Sequence, residues 1–276
     1  MKLSNIDLND YKMIVSDIDG TLMGKDHIIH DLTKEVVFRL RDRGIYFTLA
    51  TGKNLPATVS QADTLEIDLP LILINGAMLQ TRQGKVLEQS VLPVDVTCEF
   101  VEIGESQGRD LVMYINEDIL VREVNENIEN VYGSVRSGMT EVGDWGLIRA
   151  RLPDVNKCLV VDSINRENLI NIGKDFEGAF GDRADIVHAS LSLVEVMPKG
   201  ITKAVGIKKL ADALNVDLGE VIAFGDFDND IEMLASAGLG LAVENASPGA
   251  KAAARFVIGS VDVEGPAAFL QKILDR

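Results

Sequence analysis

Short apolar runs separated by segments of helical period open this 276-residue chain, and that alternation does most to restrict its fold. Met13-Ile14-Val15 reads as a buried strand, Val36, Val37 and Leu40 share one face of a helix that Gly44 can end, and Tyr46 to Ala50 reads as a second strand. Asn54 can cap a helix running through Leu65, and Leu71-Ile72-Leu73-Ile74 makes a third strand. This order predicts a parallel sheet with right-handed crossovers, because parallel neighbours need a long connecting segment that a helix supplies. The last third resumes the pattern: Ile207, Leu210, Ala211 and Leu214 share a helical face, and Val221 to Phe224, Leu241 to Val243 and Phe256 to Ile258 are short apolar strands.

Between these stretches the texture changes. A helix is predicted from Val96 to Gln107, extended pieces at Leu111 to Ile115 and Ile119 to Val124, a strand at Cys158 to Val161, a helix near Glu167 to Phe176, and strands near Ile186 and Leu193. The fold class expected is α/β, a doubly wound parallel-sheet core of residues 1–92 and 192–276 with an α+β insertion at 93–191.

Apolar residues make up 46% of the chain, enough to build a core and to exclude disorder. The formal net charge of −16 repels nucleic acids and anionic membranes, so neither is an expected partner. The same field repels an anionic small molecule unless a local pocket of lysine, backbone N–H groups or a bound cation receives it. Cys98 and Cys158 lie far apart, with no metal-ligand spacing, and read as free buried thiols. The N-terminal residues lack a basic segment followed by an apolar one, and the longest apolar runs are short, so a soluble, cytoplasmic chain is expected.

Chemistry collects where predicted strands end. The first strand runs into Asp17-Ile18-Asp19-Gly20-Thr21, where Gly20 permits a turn that brings two carboxylates toward one ligand. Ligands of open α/β sheets bind at this end of a strand. Gly225-Asp226-Phe227-Asp228-Asn229-Asp230 follows the strand Val221 to Phe224 in the same way. Five acids at one sheet edge repel one another unless a hard divalent cation sits among them, and Mg²⁺ takes carboxylate oxygens. Asp228 reads as a solvated turn residue, and an ordinary helix N-cap is the plain alternative for Asp230. Thr51-Gly52-Lys53 offers a hydroxyl, a close backbone approach and a cation, a set that suits phosphate. Lys203 falls at the N-terminus of a predicted helix, where a cation opposes the macrodipole, so it reads as the partner of an anion or an acid pair. Lys199 has no such positional argument, and His27, His30 and His188 read as surface or structural residues.

In order and spacing, Asp17-Ile18-Asp19-Gly20-Thr21, Thr51-Gly52, Lys203, and Gly225-Asp226 with Asn229-Asp230 resemble the four motifs of the haloacid-dehalogenase-like phosphatases. Ile74-Asn75-Gly76-Ala77 and the position of the insertion further resemble the Cof-type branch, whose cap is of the IIB kind. The resemblance implies Mg²⁺-dependent hydrolysis of phosphate monoesters of small metabolites, such as sugar phosphates, by a monomer or homodimer whose cap sets specificity. It implies that Asp17 is the nucleophile and that Asp19 is the general acid and base. It implies that Asp17, Asp226 and the Asp19 carbonyl hold the metal, with Asp230 and Asn229 in support. Thr51, Gly52, Lys53, Asn75, Lys203 and Asn229 would meet the phosphorylated substrate, Lys203 with a catalytic role. Three positions depart from the family's habit: Lys53 replaces an arginine, Phe227 replaces a small or polar residue, and Glu244 brings a charge to a stretch usually without one. A phosphomutase on the same scaffold and a non-catalytic sensor of phosphorylated metabolites are the alternatives. Retention of both Asp17 and Asp19 favours catalysis.

Overall fold

The computed structural model describes residue 3 and residues 6–133, 138–190 and 192–276. The chain divides into two compact units, Met1–Glu88 with Thr202–Arg276, and Gln89–Ile201.

The first unit begins with β1 (Met13–Ser16), α1 (Asp31–Asp42), β2 (Tyr46–Leu49), α2 (Val59–Thr64), β3 (Leu71–Leu73) and β4 (Met78–Gln80), and holds all but the last residue of β5 (Val86–Gln89). The second holds α3 (Val94–Ser106), β6 (Asp110–Ile115), β7 (Asp118–Val121), α4 (Glu126–Tyr132), β8 (Met139–Glu141), β9 (Val155–Val161), α5 (Arg166–Phe180), β10 (Ala184–Ser190) and β11 (Leu193–Pro198). The first unit resumes with α6 (Lys203–Leu214), β12 (Val221–Gly225), α7 (Ile231–Ser236), β13 (Leu239–Val243), α8 (Pro248–Ala253), β14 (Phe256–Ile258) and α9 (Gly265–Leu274).

The five-stranded sheet of the first unit runs β14-β13-β12-β1-β2, and every pairing in it is parallel. Every residue of β1, β12 and β13 is buried, as a parallel sheet covered on both faces requires. Helix α1 buries Val36, Val37 and Leu40, each contributing about 1.5–3 kcal/mol of hydrophobic stabilisation. Just beyond its C-terminus the chain turns at Gly44, whose φ of +74° suits a residue without a β-carbon. After β1 the chain continues to β2 on one side, and β12, β13 and β14 lie on the other. The order therefore reverses at β1, and ligands of open α/β sheets bind at such a switch point, outside the C-terminal strand ends.

Two local expectations need correction. The helix expected from Asn54 to Leu65 is confined to Val59–Thr64, because Thr58 Oγ1 bonds the Asn54 carbonyl and the Thr58 N–H bonds Leu55, folding residues 54–58 into turns. Strand β3 touches the parallel sheet through a single bridge, Ala50 to Ile72, and its other edge pairs antiparallel with β4 in a small sheet β3-β4-β5 that the sequence reading did not anticipate.

The second unit is a six-stranded sheet, β10-β11-β9-β6-β7-β8, antiparallel except where β7 meets β8. Leu111, Met113 and Ile115 alternate along β6 and join Val96, Phe100 and Phe176 of α3 and α5 in one apolar cluster. Within it the Phe100 and Phe176 rings lie 5.1 Å apart and those of Phe176 and Phe180 5.3 Å. The unit runs past the expected boundary at 191, because β11 is a sheet partner of both β9 and β10. Cys158 is buried as expected, but Cys98 is exposed: α3 turns Val96, Thr97, Phe100 and Gly104 inward and leaves residue 98 off that stripe. Among the described residues no helix is long and apolar enough to cross a membrane.

Candidate active site

Parallel register fixes the site. Ser16 pairs with Phe224 and Leu49, so β1, β12 and β2 end side by side. The Asp17 N–H extends the ladder to the Phe224 carbonyl (3.0 Å), and the Ala50 N–H extends it to Ser16 (2.9 Å). The residues just beyond these ends, Asp17, Asp226 and Thr51, are thereby delivered to one edge.

One carboxylate oxygen from each of Asp17, Asp226 and Asp230 falls within a mutual span of 4.8 Å. Lys203, the first residue of α6 and fully buried, places its ammonium 2.6 Å from Asp17 Oδ1 and 2.6 Å from Asp230 Oδ1. The acid pair expected for this lysine is thus present. Asp230 does not cap α7; its Oδ2 reaches back to accept the N–H groups of Asp226 (2.9 Å) and Phe227 (3.1 Å), which locks the loop after β12.

Burial pushes the Asp17 carboxyl well above the usual carboxylate range; Lys203 opposes that shift, and Asp230 and Asp226 add to it. Burial also pushes Asp226 up to about 7, with Asp230 adding to the shift and Lys203 and the Thr21 hydroxyl opposing it. Burial alone would lower the Lys203 ammonium, but the charges of Asp17 and Asp230 outweigh it and hold the pKa above the ordinary lysine value. One ammonium therefore faces three carboxyl groups, two of which resist ionisation. The donors are hard oxygens with negative charge in excess, which fits a divalent cation such as Mg²⁺. Asp17, Asp226 and Asp230 would hold it; the Asp19 carboxylate lies outside this group.

A second set surrounds the loop after β2. The Asn75 N–H donates to the Thr51 carbonyl (2.9 Å), and Asn75 Oδ1 accepts from Asn229 Nδ2 (3.0 Å). Gly52 lies so close to the Asn75 amide that a β-carbon there would come within 3.2 Å of Oδ1. Thr51, Gly52, Asn75 and Asn229 are thus one connected group. Ile74 and Asn75 both have φ near +50°, uncommon for asparagine and costly for a β-branched residue, and backbone strain of this kind concentrates at functional sites. The Lys53 ammonium lies 2.7 Å from Oδ1 and 2.6 Å from Oδ2 of Asp19.

The remaining candidates fall elsewhere. Asp228 is exposed and accepts from Ser247 (2.6 Å), as a turn residue would. Lys199 belongs to the second unit, where it meets Asp185 and the Gly181 carbonyl. His27 and His30 are exposed, His30 beside Asp26, while the side chain of His188 lies outside the described residues. Glu244 is exposed. The sequence reading named Thr21 within its motif but gave it no role, and its hydroxyl donates to Asp226 (3.2 Å); it missed Asn245, which donates to the Gly20 carbonyl (2.8 Å) and accepts from the Val261 N–H (2.9 Å). Asn245 follows the C-terminal end of β13, the sheet edge on which ligands of such folds collect, and that position was the signal available.

The chain is similar in sequence and fold to known proteins. The profile of the haloacid dehalogenase-like hydrolases matches residues 14–270. The 5-amino-6-(5-phospho-D-ribitylamino)uracil phosphatase of Bacillus subtilis (strain 168) is 28% identical, over 94% of this chain and 96% of its own length. The HMP-PP phosphatase of Escherichia coli (strain 55989 / EAEC) is 30% identical, over 86% of this chain and 85% of its own. A haloacid dehalogenase-like hydrolase from Bacteroides thetaiotaomicron superposes with a TM-score of 0.83 at 26% identity, covering 95% of this chain and 99% of that one. A profile match over nearly the whole chain, on a doubly wound sheet whose strand ends gather Asp17, Lys203, Asp226 and Asp230, leads to one assignment: the chain belongs to the haloacid dehalogenase-like hydrolase family.

Proposed function

We propose that this hydrolase is a Mg²⁺-dependent phosphatase that cleaves phosphate monoesters of small metabolites through an aspartyl phosphate on Asp17. The observation that carries the reading is the set of Asp17, Lys203, Asp226 and Asp230 at the adjoining ends of β1 and β12. Relatives named as phosphatases, matching over most of the chain, support it.

In this reading the Asp17 carboxylate attacks phosphorus in line with the leaving oxygen, and Asp19 donates its proton to the departing alkoxide. Asp19 then takes a proton from water as that water attacks the phosphoenzyme, which frees phosphate and restores Asp17. Lys203 favours the ionised form of Asp17 against its burial and aims it, and Thr51 with the neighbouring N–H groups receives phosphoryl oxygens. The cation, when bound, offsets the negative charge that would otherwise keep an anionic substrate from an anionic nucleophile. Residues of the Gln89–Ile201 unit set which ester is preferred.

The reading is tested by screening phosphorylated metabolites for release of inorganic phosphate, with Mg²⁺ and with excess chelator. Turnover of at least one class of ester, dependent on the cation, is expected; no release from any phosphate ester would overturn the proposal.

A further inference from the structure

The resemblance assigned Lys53 to the substrate phosphate, yet the lysine is committed to another partner. Both Asp19 oxygens lie within 2.7 Å of its ammonium. The lysine is itself held from both sides of its backbone: its N–H donates to Thr51 Oγ1 (3.2 Å), and its carbonyl accepts from the Ile74 N–H (3.0 Å). The Asp19 side chain is 43% exposed, so an unpartnered carboxyl there would turn freely about its Cβ–Cγ bond. A general acid must present its proton within hydrogen-bond reach of the leaving oxygen, so a freely turning carboxyl is productive only part of the time.

We infer that Lys53 is a positioning residue for Asp19, holding the plane of the acid carboxyl from the hydrogen-bonded loop after β2, and is not a ligand of the substrate phosphate. The inference rests on the phosphatase reading above. A single nitrogen between the two oxygens achieves with lysine what a guanidinium fork would achieve with two N–H groups, so arginine can substitute and an apolar side chain cannot. The plain alternative is a surface ion pair of no consequence, since pairs this exposed contribute little to stability.

The two assignments diverge when leaving groups are compared. Alkyl phosphates need their leaving oxygen protonated, whereas 4-nitrophenyl phosphate does not. The quantity to compare is kcat/KM, which reports the steps through the first phosphoryl transfer. In Lys53→Met, kcat/KM for an alkyl phosphate should fall about 10- to 100-fold, a part of the 10²–10⁴ that general acid catalysis supplies, while the value for 4-nitrophenyl phosphate stays within about threefold. The dissociation constant of orthovanadate, a binding readout independent of turnover, should stay within about twofold, and Lys53→Arg should recover most of the alkyl activity. Thermal unfolding of each variant reports whether it is folded. Equal losses for both esters together with weakened orthovanadate binding would return Lys53 to the phosphate and overturn the inference. Unchanged kinetics for both esters would overturn it in favour of the inert ion pair. Failure of the unaltered protein to hydrolyse any phosphate ester would instead remove the phosphatase reading, whatever Lys53 does.

Discussion

The Lys203 ammonium lies 2.6 Å from Asp17 Oδ1 although 186 residues separate the two, and the same ammonium meets Asp230 at the same distance. Buried ion pairs hold only while both partners remain, because removing one leaves an uncompensated charge away from water. In Lys203→Met the Asp17 and Asp230 carboxylates lose their shared counterion. The metal-free protein should lose about 3–5 kcal/mol at pH 8, and less at pH 5.5 where the Asp17 carboxyl, raised by burial, takes up a proton more readily. Urea unfolding in chelator at the two pH values measures both; an equal loss at each would show that the lysine acts through packing alone.

Proton uptake by the acid cluster gives the metal-free protein a characteristic pH dependence. Burial raises Asp17 and Asp226, the latter to about 7, so between about pH 4 and 7 the folded state holds protons that the unfolded chain has released. Their contribution to metal-free stability therefore falls as pH rises through that window. Lys203 stays charged throughout and leaves the sign unchanged. Mg²⁺ must displace those protons, so the gain in Tm on adding Mg²⁺ should grow from pH 5.5 to pH 8. Melting curves with Mg²⁺ and with chelator test this, and a gain that shrank as pH rose would contradict it.

Gly20 has φ +83°, and a β-carbon on it would sit 2.4 Å from Asp226 Oδ2. Gly20→Ala should cost about 1–3 kcal/mol in backbone strain and also displace Asp226, lowering Mg²⁺ affinity by at least about tenfold. Gly44, at φ +74°, has nothing within 4 Å of such a carbon. Gly44→Ala should show the stability cost with unaltered Mg²⁺ affinity. Calorimetric titration of both variants separates the two effects, and equal affinities would remove the contact argument.

Substitutions at exposed positions of the Gln89–Ile201 unit that spare the Phe100, Phe176 and Phe180 cluster should reorder the preferred phosphate esters and leave the Mg²⁺ requirement intact. If every ester changed by one common factor across such a series, this unit would not be reading the substrate.

What could be read in advance was whatever depends on short sequence separation. Asp17, Thr51 and Asp226 each follow an apolar run within a residue or two, and parallel pairing brings such run ends together without further information. The misplacement of Lys203 against the helix macrodipole likewise marked it in the sequence. The partner of Lys53 was hidden because side-chain direction within a turn is set by tertiary contacts, here the bond from Ile74 to the Lys53 carbonyl. Asn245 was missed because its partners, Gly20 and Val261, are remote in the chain. The buried pair of Lys157 and Glu195 (2.7 Å), with the Lys157 ammonium 4.6 Å from the Tyr114 ring, was equally illegible: charged residues on β9 and β11 imply a solvated face by pattern alone. The same absence of local punctuation let the expected end of the insertion fall short of β11.

The central claim is that Asp17 is phosphorylated during turnover. Acid quenching within milliseconds of mixing with Mg²⁺ and a hydrolysed ester, followed by peptide mass spectrometry, tests it directly. The account predicts phosphate on the peptide containing Asp17, at its highest occupancy in Asp19→Asn, where the base for the second step is missing, and none in Asp17→Asn, whose turnover should fall at least about 10³-fold. Phosphate on another residue, or normal turnover by Asp17→Asn, would contradict it.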